Sequence, residues 1–473
     1  MNNKKSLGRI SVTIVLLVIT AIAMHAQTFT TLVNFAGTDG INPLTSLIQG
    51  SDGNFYGTTM SGGANSFYGT IFRVTPDGAL TTMYSFCPSI QLLCPDGYWP
   101  FGGIIEATDG NFYGTTAFGG AHGAGTIFKM TPDGTLTTLY SFCALENCSD
   151  GSHPYTGLIQ ASGGNLYGTA FSGGANTYGT IFKISPDGVF TTLHSFDGLD
   201  GEFPYTGLIQ AMNGNFYGTT SGGGAAGPAA GHGTVYKMNL AGTVTRLHSF
   251  RETDGDSPYA GLVHSNGNLF GTTQLGGANN AGTIFEIARD GTLTTLHSFD
   301  STGGEEPYGG LIQGSDGNFY GTTLKGAAGY GSVFSFNPEG TTSTLHSFAE
   351  TDGSEPQGGL MQATDGTLYG TTVSGGVNGL PGGYGTVYRL SLGLRPFLKL
   401  LPTSGAAGST VKILGTNLTS ATGVAFNGVA APFTIISPSL IVATVPAGVT
   451  TGQVRVATAD GPLSSNTAFL VLP

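Results

Sequence analysis

The stretch GLIQASGGNLYGTAFSGGANTYGTIFKISPD, residues Gly157–Asp187, decides the fold because close copies of it fill the chain. The copy at Gly310–Glu339 reads GLIQGSDGNFYGTTLKGAAGYGSVFSFNPE, and seven such copies follow one another. A fixed period of about 50 residues is typical of a repeat architecture. The 80 glycines of the 473-residue chain recur in register with this period, so turn geometry explains them better than disorder.

Each copy contains four strand-like runs separated by turn residues. In the third copy the runs are Gly157–Ala161, Asn165–Ala170, Gly179–Ile184 and Val189–Phe196. A four-stranded antiparallel unit cannot bury both of its faces alone, whereas seven units can pack face to face in a ring. The pattern therefore predicts an all-β, seven-bladed β-propeller of four-stranded blades. The alternative, a β-helix, has much shorter rungs.

The phase of the repeat predicts how the ring closes. Thr28–Phe35 (TFTTLVNF) reads as a fourth strand with no preceding three, and Gly385–Leu390 (GTVYRL) reads as a third strand with no fourth. We therefore expect residues 28–35 to complete the last blade of a propeller that extends over residues 28–392.

Residues 1–26 have the pattern of a secretory signal peptide. Lys4, Lys5 and Arg9 precede the apolar run Ile10–Ala23, and Ala26 is a small residue at the expected cleavage point. The run is short for a membrane span, so removal is favoured over an uncleaved anchor. The sequence predicts a secreted protein, extracellular or on the cell surface, with no transmembrane segment after signal removal. A periplasmic location is the alternative.

The charge balance argues against a nucleic-acid partner. Three of the 16 Lys and Arg residues lie in the signal, which leaves 13 against 28 Asp and Glu, a net charge of −15. A chain this acidic has no basic stripe with which to displace counterions from phosphates.

The repeats resemble the GloVer tandem-repeat family of exported bacterial proteins, of the choice-of-anchor type. The motif that supports the resemblance is GLIQ-x-x-DGNFYGTT-x-x-GG-x4-GTIF-x-x-x-PDG-x-LTTL-x-SF, which recurs from about Phe29 to Leu392. The resemblance implies an extracellular or surface protein without an established biochemical activity. It brings no catalytic residues to this sequence.

A second domain follows the repeats, at residues 396–473. Gly408–Leu418 (GSTVKILGTNL), Leu440–Pro446 (LIVATVP) and Gly452–Thr458 (GQVRVAT) are similar to the strands of IPT/TIG immunoglobulin-like domains. The resemblance implies a β-sandwich that serves as a spacer or an interaction module. The joint Gly393–Pro396 is short, so we expect the two domains to be closely coupled.

The four cysteines lie in the same loop of two consecutive repeats. In an exported chain disulfides are the default, and each pair brackets a loop insertion. We therefore predict two local bonds, Cys87–Cys94 and Cys143–Cys148. Zinc is the alternative, but neither loop has a histidine at ligand spacing.

Length variation is confined to one face of the predicted ring, which makes that face the candidate for binding. An aromatic residue precedes the first strand in five units, and the only tryptophan lies beside a cysteine loop. Such rings could stack on sugars, or they could wedge between blades or fill a gap. The candidate ligand-binding residues are Tyr98, Trp99, Phe101, His153, Tyr155, Tyr205, Tyr259 and Tyr308.

Two repeated polar sets are interpreted as structural. The acidic set precedes glycine and is typical of turns; it comprises Asp39, Asp96, Asp150, Asp200, Asp254 and Asp352. The histidines of the fourth strand lie one to a blade, too far apart to share a metal; they are His194, His248, His297 and His346. No metal or other cofactor is predicted. Calcium at Asp254-Gly255-Asp256 is a weakly supported alternative, because the stretch lacks the spacing of a full calcium loop.

Three functions are compatible with this pattern. The leading hypothesis is a secreted, non-enzymatic protein that binds an extracellular glycan or protein partner. The runner-up is an extracellular carbohydrate-active hydrolase or lyase, although no catalytic motif is visible. The third is a structural cell-surface or adhesion component. The fold cannot choose among them, because propellers host all three.

Overall fold

The computed structural model describes residues 27–472, apart from 66, 89–93, 228–229, 301–303, 327 and 380. The expected signal peptide, residues 1–26, lies outside the described residues. The described chain forms 38 strands and two single 3-10 turns, at Glu146–Cys148 and Leu418–Ser420.

Seven four-stranded antiparallel sheets form a ring of blades. The first strand of the chain, β1 (Thr28–Asn34), belongs to blade 7. Blades 1 to 3 contain β2 Ile48–Gln49, β3 Phe55–Thr59, β4 Thr70–Val74, β5 Leu80–Ser85; β6 Ile104–Glu106, β7 Phe112–Thr116, β8 Thr126–Met130, β9 Leu136–Ser141; and β10 Ile159–Gln160, β11 Leu166–Ala170, β12 Thr180–Ile184, β13 Phe190–Ser195. Blades 4 and 5 contain β14 Ile209–Gln210, β15 Phe216–Thr220, β16 Thr234–Met238, β17 Val244–Ser249; and β18 Val263–Ser265, β19 Asn268–Thr273, β20 Thr283–Ile287, β21 Leu293–Ser298. Blades 6 and 7 contain β22 Ile312–Gln313, β23 Phe319–Thr323, β24 Ser332–Phe336, β25 Thr342–Ser347; and β26 Met361–Gln362, β27 Leu368–Thr372, β28 Thr386–Ser391 with β1. The predicted all-β propeller is confirmed.

The hydrophobic core of the ring lies between the blades. Seven buried clusters each join two neighbouring blades; one of them brings Tyr113 and Phe142 of blade 2 against Leu166 and Phe182 of blade 3. The aromatic and aliphatic residues of the repeated motif thus cover the next copy of the same motif. Each blade depends on its neighbours for burial, as in other repeat proteins.

The seam of the ring is a pairing of the two ends of the repeats. β1 runs antiparallel to β28, with Thr28 opposite Ser391 and Asn34 opposite Thr386, and with a bulge between Thr31 and Val33. The fourth strands of blades 1 to 6 carry the same bulge against their third strands. Phe35, which follows β1, is fully buried in the cluster that joins blades 7 and 1.

The repeated polar residues satisfy one another inside each blade. In blade 1 the hydroxyl groups of Thr59 and Thr70 lie 2.8 Å apart in the interior. In the turn, the Asp52 carboxylate accepts a hydrogen bond from the Asn54 amide N–H and another from the Tyr56 hydroxyl. The repetition of DGNFYGTT therefore reflects local hydrogen bonding, since buried polar groups need partners.

Residues after the ring form a β-sandwich. Its two four-stranded sheets contain β29 Lys399–Leu401, β31 Thr410–Leu414, β35 Leu440–Thr444 and β34 Phe433–Ser437, facing β33 Val429–Ala431, β32 Gly423–Phe426, β36 Val454–Thr458 and β37 Gly461–Ser464. A parallel pair, β30 Ser404–Gly405 with β38 Leu470–Val471, lies beside them. The core between the sheets includes Val411, Ile413, Phe426 and Val456. The immunoglobulin-like sandwich is thus present as predicted.

The sandwich domain rests on the face of the ring that carries the tight turns. The Phe397 N–H donates to the Thr364 carbonyl, and the Ser315 hydroxyl donates to the Arg395 carbonyl. Lys412 Nζ lies 3.4 Å from a carboxylate oxygen of Glu106, whose side chain is only 7% exposed. This docking leaves the loop-rich face on the opposite side of the ring.

Two blades carry a buried hydroxyl that the repeat does not need. The hydroxyl groups of Tyr236 and Tyr388 are buried and have no hydrogen-bond partner among the described residues. The other five blades have phenylalanine at this third-strand position, at Phe72, Phe128, Phe182, Phe285 and Phe334.

Replacing Tyr236 with phenylalanine should therefore stabilise the protein. An unpaired buried polar group costs about 1–3 kcal/mol, so we expect Tyr236→Phe to raise the free energy of unfolding by about 1 kcal/mol. Tyr388→Phe should add to it, because the two tyrosines lie in separate core clusters, in blades that are not neighbours. Urea denaturation would measure this as a higher midpoint with an unchanged m-value. A lower midpoint would mean that the hydroxyl has a favourable partner.

Candidate functional site on the loop-rich face

One residue in every blade has a positive φ although it is not glycine. These residues each precede a proline, and their φ values lie between 54° and 58°; they are Asn42, Trp99, His153, Phe203, Ser257, Glu306 and Glu355. A left-handed backbone costs a non-glycine residue about 1–3 kcal/mol and persists only where the surroundings hold it. We call this set the positive-φ ring.

Backbone hydrogen bonds to two blades hold each residue of this ring. The Trp99 N–H donates to the Tyr68 carbonyl of blade 1, and the Trp99 carbonyl accepts from the Ala117 N–H of blade 2. The equivalent pair of bonds recurs at each of the other six positions. The backbone is therefore the same around the ring, while the side chain at this position differs from blade to blade.

Aromatic side chains occupy three consecutive positions of the ring, Trp99, His153 and Phe203. Phe118 lies between the first two, with its ring centroid 5.2 Å from Trp99 and 4.9 Å from His153. Phe171 stacks on Phe203 at 4.8 Å. We call the connected set of half-buried rings the aromatic sector; it contains Tyr98, Trp99, Phe101, Phe118, His153, Tyr155, Phe171, Phe203 and Tyr205.

The aromatic residues that precede the first strands continue the contacts toward the axis of the ring. Phe101 lies 5.1 Å from Tyr155, and Tyr155 lies 5.5 Å from Tyr205. Tyr205 contacts both Tyr259, at 4.9 Å, and Tyr308, at 6.2 Å, so rings from three consecutive blades meet. All five side chains are half-buried, which places them neither in the core between blades nor wholly in solvent.

Burial adjusts the protonation of this cluster. It raises the pKa of Tyr155, Tyr259 and Tyr308, so their hydroxyl groups stay protonated and can donate hydrogen bonds. Burial lowers the pKa of His153, whose Nδ1 lies 3.0 Å from the Ser172 hydroxyl. Near neutral pH these four side chains are therefore uncharged.

The positive-φ ring is polar on blades 5 to 7. The Ser257 hydroxyl donates to Asp256, whose other carboxylate oxygen lies 2.9 Å from His232 Nδ1. Glu306 forms an ion pair with Lys325 and accepts a hydrogen bond from the Gln274 side chain. The loop-rich face thus combines an aromatic side, on blades 2 to 4, with a polar side, on blades 5 to 7.

The repeated aspartates fasten loops to strands. Asp200 and Asp254 accept hydrogen bonds at 2.6 and 3.2 Å from His194 and His248 of the preceding fourth strands. Corresponding contacts join Asp352 to His346, Asp150 to Tyr140 and Asp96 to Tyr84. These histidines are therefore separate, one to a blade. Within the described part of the chain, no three His, Cys, Asp or Glu side chains lie together as a metal site would need.

The two carboxylates of Asp254-Gly255-Asp256 face different partners. Asp254 contacts His248, whereas Asp256 contacts His232 and Ser257. Both carboxylates therefore take part in hydrogen bonds to neighbouring side chains.

Two local disulfides, Cys87–Cys94 and Cys143–Cys148, flank the aromatic sector, and the predicted pairing is confirmed. Their Cα atoms are 5.0 and 4.0 Å apart. The second loop is also held by Asp150, which accepts hydrogen bonds from the N–H groups of Ala144 and Leu145. Both bonds therefore restrain the loops that lead to Trp99 and His153.

Sequence reasoning missed Phe118, Phe171 and Phe203. Each occupies a repeat position that is otherwise variable or small; the position of Phe118 holds serine at Ser61, Ser172 and Ser374. The available signal was that three neighbouring blades depart from the repeat in the same direction, toward aromatic residues.

No helix in the described chain is both long and apolar enough to cross a membrane. No curated protein matches the chain. Among solved structures, a streptogramin B lyase is similar with a TM-score of 0.52 and 14% identity, over 77% of this chain and 97% of its own. A virginiamycin B lyase from Staphylococcus aureus is similar with a TM-score of 0.51 and 14% identity, over 77% and 99%. At this identity the likeness shows the propeller fold alone.

Family models match nearly the whole chain. The Gloeobacter/Verrucomicrobia repeat matches residues 18–160, 143–314 and 304–426, and the IPT/TIG domain matches residues 397–471. These matches agree with the seven bladed repeats and with the sandwich domain that rests on them. The chain therefore belongs to the Gloeobacter/Verrucomicrobia repeat family and carries an IPT/TIG domain after its repeats.

Proposed function

We propose that this protein is a secreted, non-enzymatic repeat protein that binds an extracellular glycan on the aromatic sector. The observation that supports this most is the composition of the positive-φ ring. Its backbone is uniform, yet Trp99, His153 and Phe203 stand together, whereas the other four positions hold Asn, Ser and Glu. Strained backbone that presents varied side chains is more typical of binding sites than of cores.

The rings are suited to sugars because they are both fixed and partly exposed. Trp99 is held by its indole N–H, which donates to the Phe67 carbonyl at 2.9 Å, and by edge contacts to Tyr98 and Phe118. Phe67 itself is 71% exposed beside it. Rigid amphipathic rings provide contact area with little loss of side-chain entropy. The disulfide-stapled loops reduce that loss further.

An extracellular hydrolase or lyase is the second candidate, and the polar side of the face is where it would act. Ser257, Asp256 and His232 are in contact there, but the aspartate lies between the serine and the histidine. A serine nucleophile needs the histidine next to it as base. This order favours a binding role over nucleophilic catalysis. A structural role at the cell surface remains the third reading.

A glycan array probed with the mature protein tests the proposal. We expect saturable binding to a defined group of glycans, with the bound glycans recovered intact. Release of reducing ends or of unsaturated sugars from a bound glycan would instead support the enzyme. Absence of binding to any glycan, together with specific capture of one extracellular protein, would replace the glycan with a protein partner.

A further inference from the structure

The sandwich domain and the turn-bearing face of the ring enclose an open cleft beneath blades 4 to 6. Two adjoining cavities of about 580 and 660 Å³ share His264, Gln313, Asn466 and Thr467 in their walls. Asn466 and Thr467 belong to the sandwich domain, whereas His264 and Gln313 belong to first strands of the ring. The cleft is thus built from both domains and lies on the face opposite the aromatic sector.

Blade 5 departs from the repeat at three places, and all three line this cleft. His264 stands where five other blades have glutamine, at Gln49, Gln160, Gln210, Gln313 and Gln362. Arg289 stands at the turn position that holds Pro76, Pro132, Pro186 and Pro338 in other blades. The turn after His264 is one residue shorter than its counterparts and ends in Asn266-Gly267, with φ of 51° and 91°, as a two-residue hairpin requires. Length variation is therefore not confined to the loop-rich face, contrary to the expectation from the sequence.

These departures interrupt a ring of hydrogen bonds between blades. At five junctions, the N–H of the turn after the first strand donates to the first-strand side chain of the next blade: Ser51 to Glu106, Thr108 to Gln160, Ser162 to Gln210, Ser315 to Gln362, and Thr364 to Gln49. At the two junctions of blade 5, the described residues make no such bond. The blade 5 residues at these positions do not take part in the repeated hydrogen bonds. The repeat therefore does not explain why histidine and arginine stand there.

The charged groups that line the cleft are cationic, although the protein is acidic. Arg289 and Arg395 are exposed at its edges, and the Arg289 Nε–H donates to the Gly267 carbonyl at 3.0 Å, which fixes the side chain there. Amide and hydroxyl groups, including those of Gln210 and Thr467, share the walls with apolar side chains such as Met212 and Phe397. Among the described residues that line the two cavities, none is an aspartate or a glutamate.

His264 adds a neutral hydrogen-bonding group at the centre of the cleft. Burial, together with the nearby guanidinium of Arg289, lowers the pKa of His264. At neutral pH the imidazole therefore offers one donor and one acceptor. Such a group suits the hydroxyl groups of a ligand whose negative charge is taken by the arginines.

We infer that the cleft beneath blade 5 binds a small, hydroxyl-rich carboxylate, of the size and chemistry of a hexuronate. Guanidinium groups favour planar carboxylates, which they can bind with two parallel hydrogen bonds. Cavities of this volume are in the range of small-molecule sites. The inference is independent of the glycan proposed for the loop-rich face, because it rests on other residues on the other side of the ring.

Calorimetric titration of the full mature chain with sodium galacturonate tests the inference. Glucose provides the same hydroxyl groups without the charge, and inorganic phosphate provides a charge without the hydroxyl groups. We expect saturable binding of galacturonate, and binding at least about tenfold weaker for both comparison compounds. Absence of saturable galacturonate binding, or equal binding of phosphate, would overturn the assignment.

The repeat itself supplies variants that should fold. Arg289→Pro and His264→Gln each restore the residue that other blades carry, and within the described part of the chain the Arg289 N–H donates no backbone hydrogen bond that proline would remove. We expect Arg289→Pro to weaken galacturonate binding at least about tenfold with an unchanged melting temperature. Arg251→Gln removes one exposed arginine from the opposite face and should leave binding unchanged. Equal affinity of Arg289→Pro and the unmodified protein would contradict the site.

Discussion

A chain that begins at residue 36 should fail to fold cooperatively. Without β1, the edge of β28 loses its hydrogen-bonded partner, and Val33 and Phe35 leave the cluster that joins blades 7 and 1. An unpaired strand edge next to an opened hydrophobic seam promotes aggregation. Thermal unfolding followed by circular dichroism, with size-exclusion chromatography, should show a broad transition at lower temperature and large aggregates.

A graded series separates the role of the strand from a general effect of truncation. Phe35→Ala keeps the strand and should cost about 3–5 kcal/mol of unfolding free energy, since it empties a fully buried site. Adding a peptide of residues 27–36 to the truncated chain should restore a single transition, and the same peptide with Val33→Asp should not. If the truncated chain unfolds in one transition at the original temperature, β1 does not hold the ring together.

Replacing Trp99 should abolish most glycan binding without unfolding the protein. Truncation of a central aromatic contact typically costs 2 kcal/mol or more, which corresponds to a loss of about 30-fold in affinity. Trp99→Gly is the informative variant because glycine adopts the positive φ of this position without strain. The relief of backbone strain should offset much of the lost packing, so we expect a nearly unchanged melting temperature.

Glu355→Gly is the matched control for Trp99→Gly. Glu355 has the same backbone conformation, with φ of 56°, but its side chain is exposed and lies on the polar side of the positive-φ ring. Glu355→Gly should gain the same relief of backbone strain and keep full affinity for the glycan. Trp99→Phe, which retains an aromatic ring, should keep a measurable part of the affinity. A fall in melting temperature with unchanged affinity for Trp99→Gly would make Trp99 a packing residue instead.

The repeat made the fold predictable to an unusual degree. The repeat period, the number of strands and the turn residues all indicate four-stranded blades, because each copy has the same local pattern of strand and turn residues. The strand limits are less predictable: the pattern predicts a strand over Gly157–Ala161, but only Ile159–Gln160 pair as one. The inner strand ends early because Ala161 already belongs to the turn, where its N–H donates to the Asn165 carbonyl.

The candidate site was only partly visible in the sequence. Trp99 stood out because it is the only tryptophan, and Tyr205 because its position is aromatic in several units. Phe118 and Phe203 did not, because their neighbours in space come from other blades and their repeat positions hold unrelated side chains. The positive φ of the residue before proline cannot be recognised in the sequence, because the residue type at that position differs from blade to blade. The cleft under blade 5 depends on how the two domains dock, which no repeat pattern encodes.

The pairing of β1 with β28 also imposes an order on synthesis. β1 is made before every other strand of the repeats, and it has no partner until the last blade has been made, since Thr28 pairs with Ser391. Until then the growing chain forms an open arc with an unpaired strand edge at each end. The final step of folding is a contact between the most distant parts of the repeats. Such long-range closure is slow compared with local pairing. Closure of the ring is therefore a late step of folding, and the seven blades become one cooperative unit only after the last blade has been made.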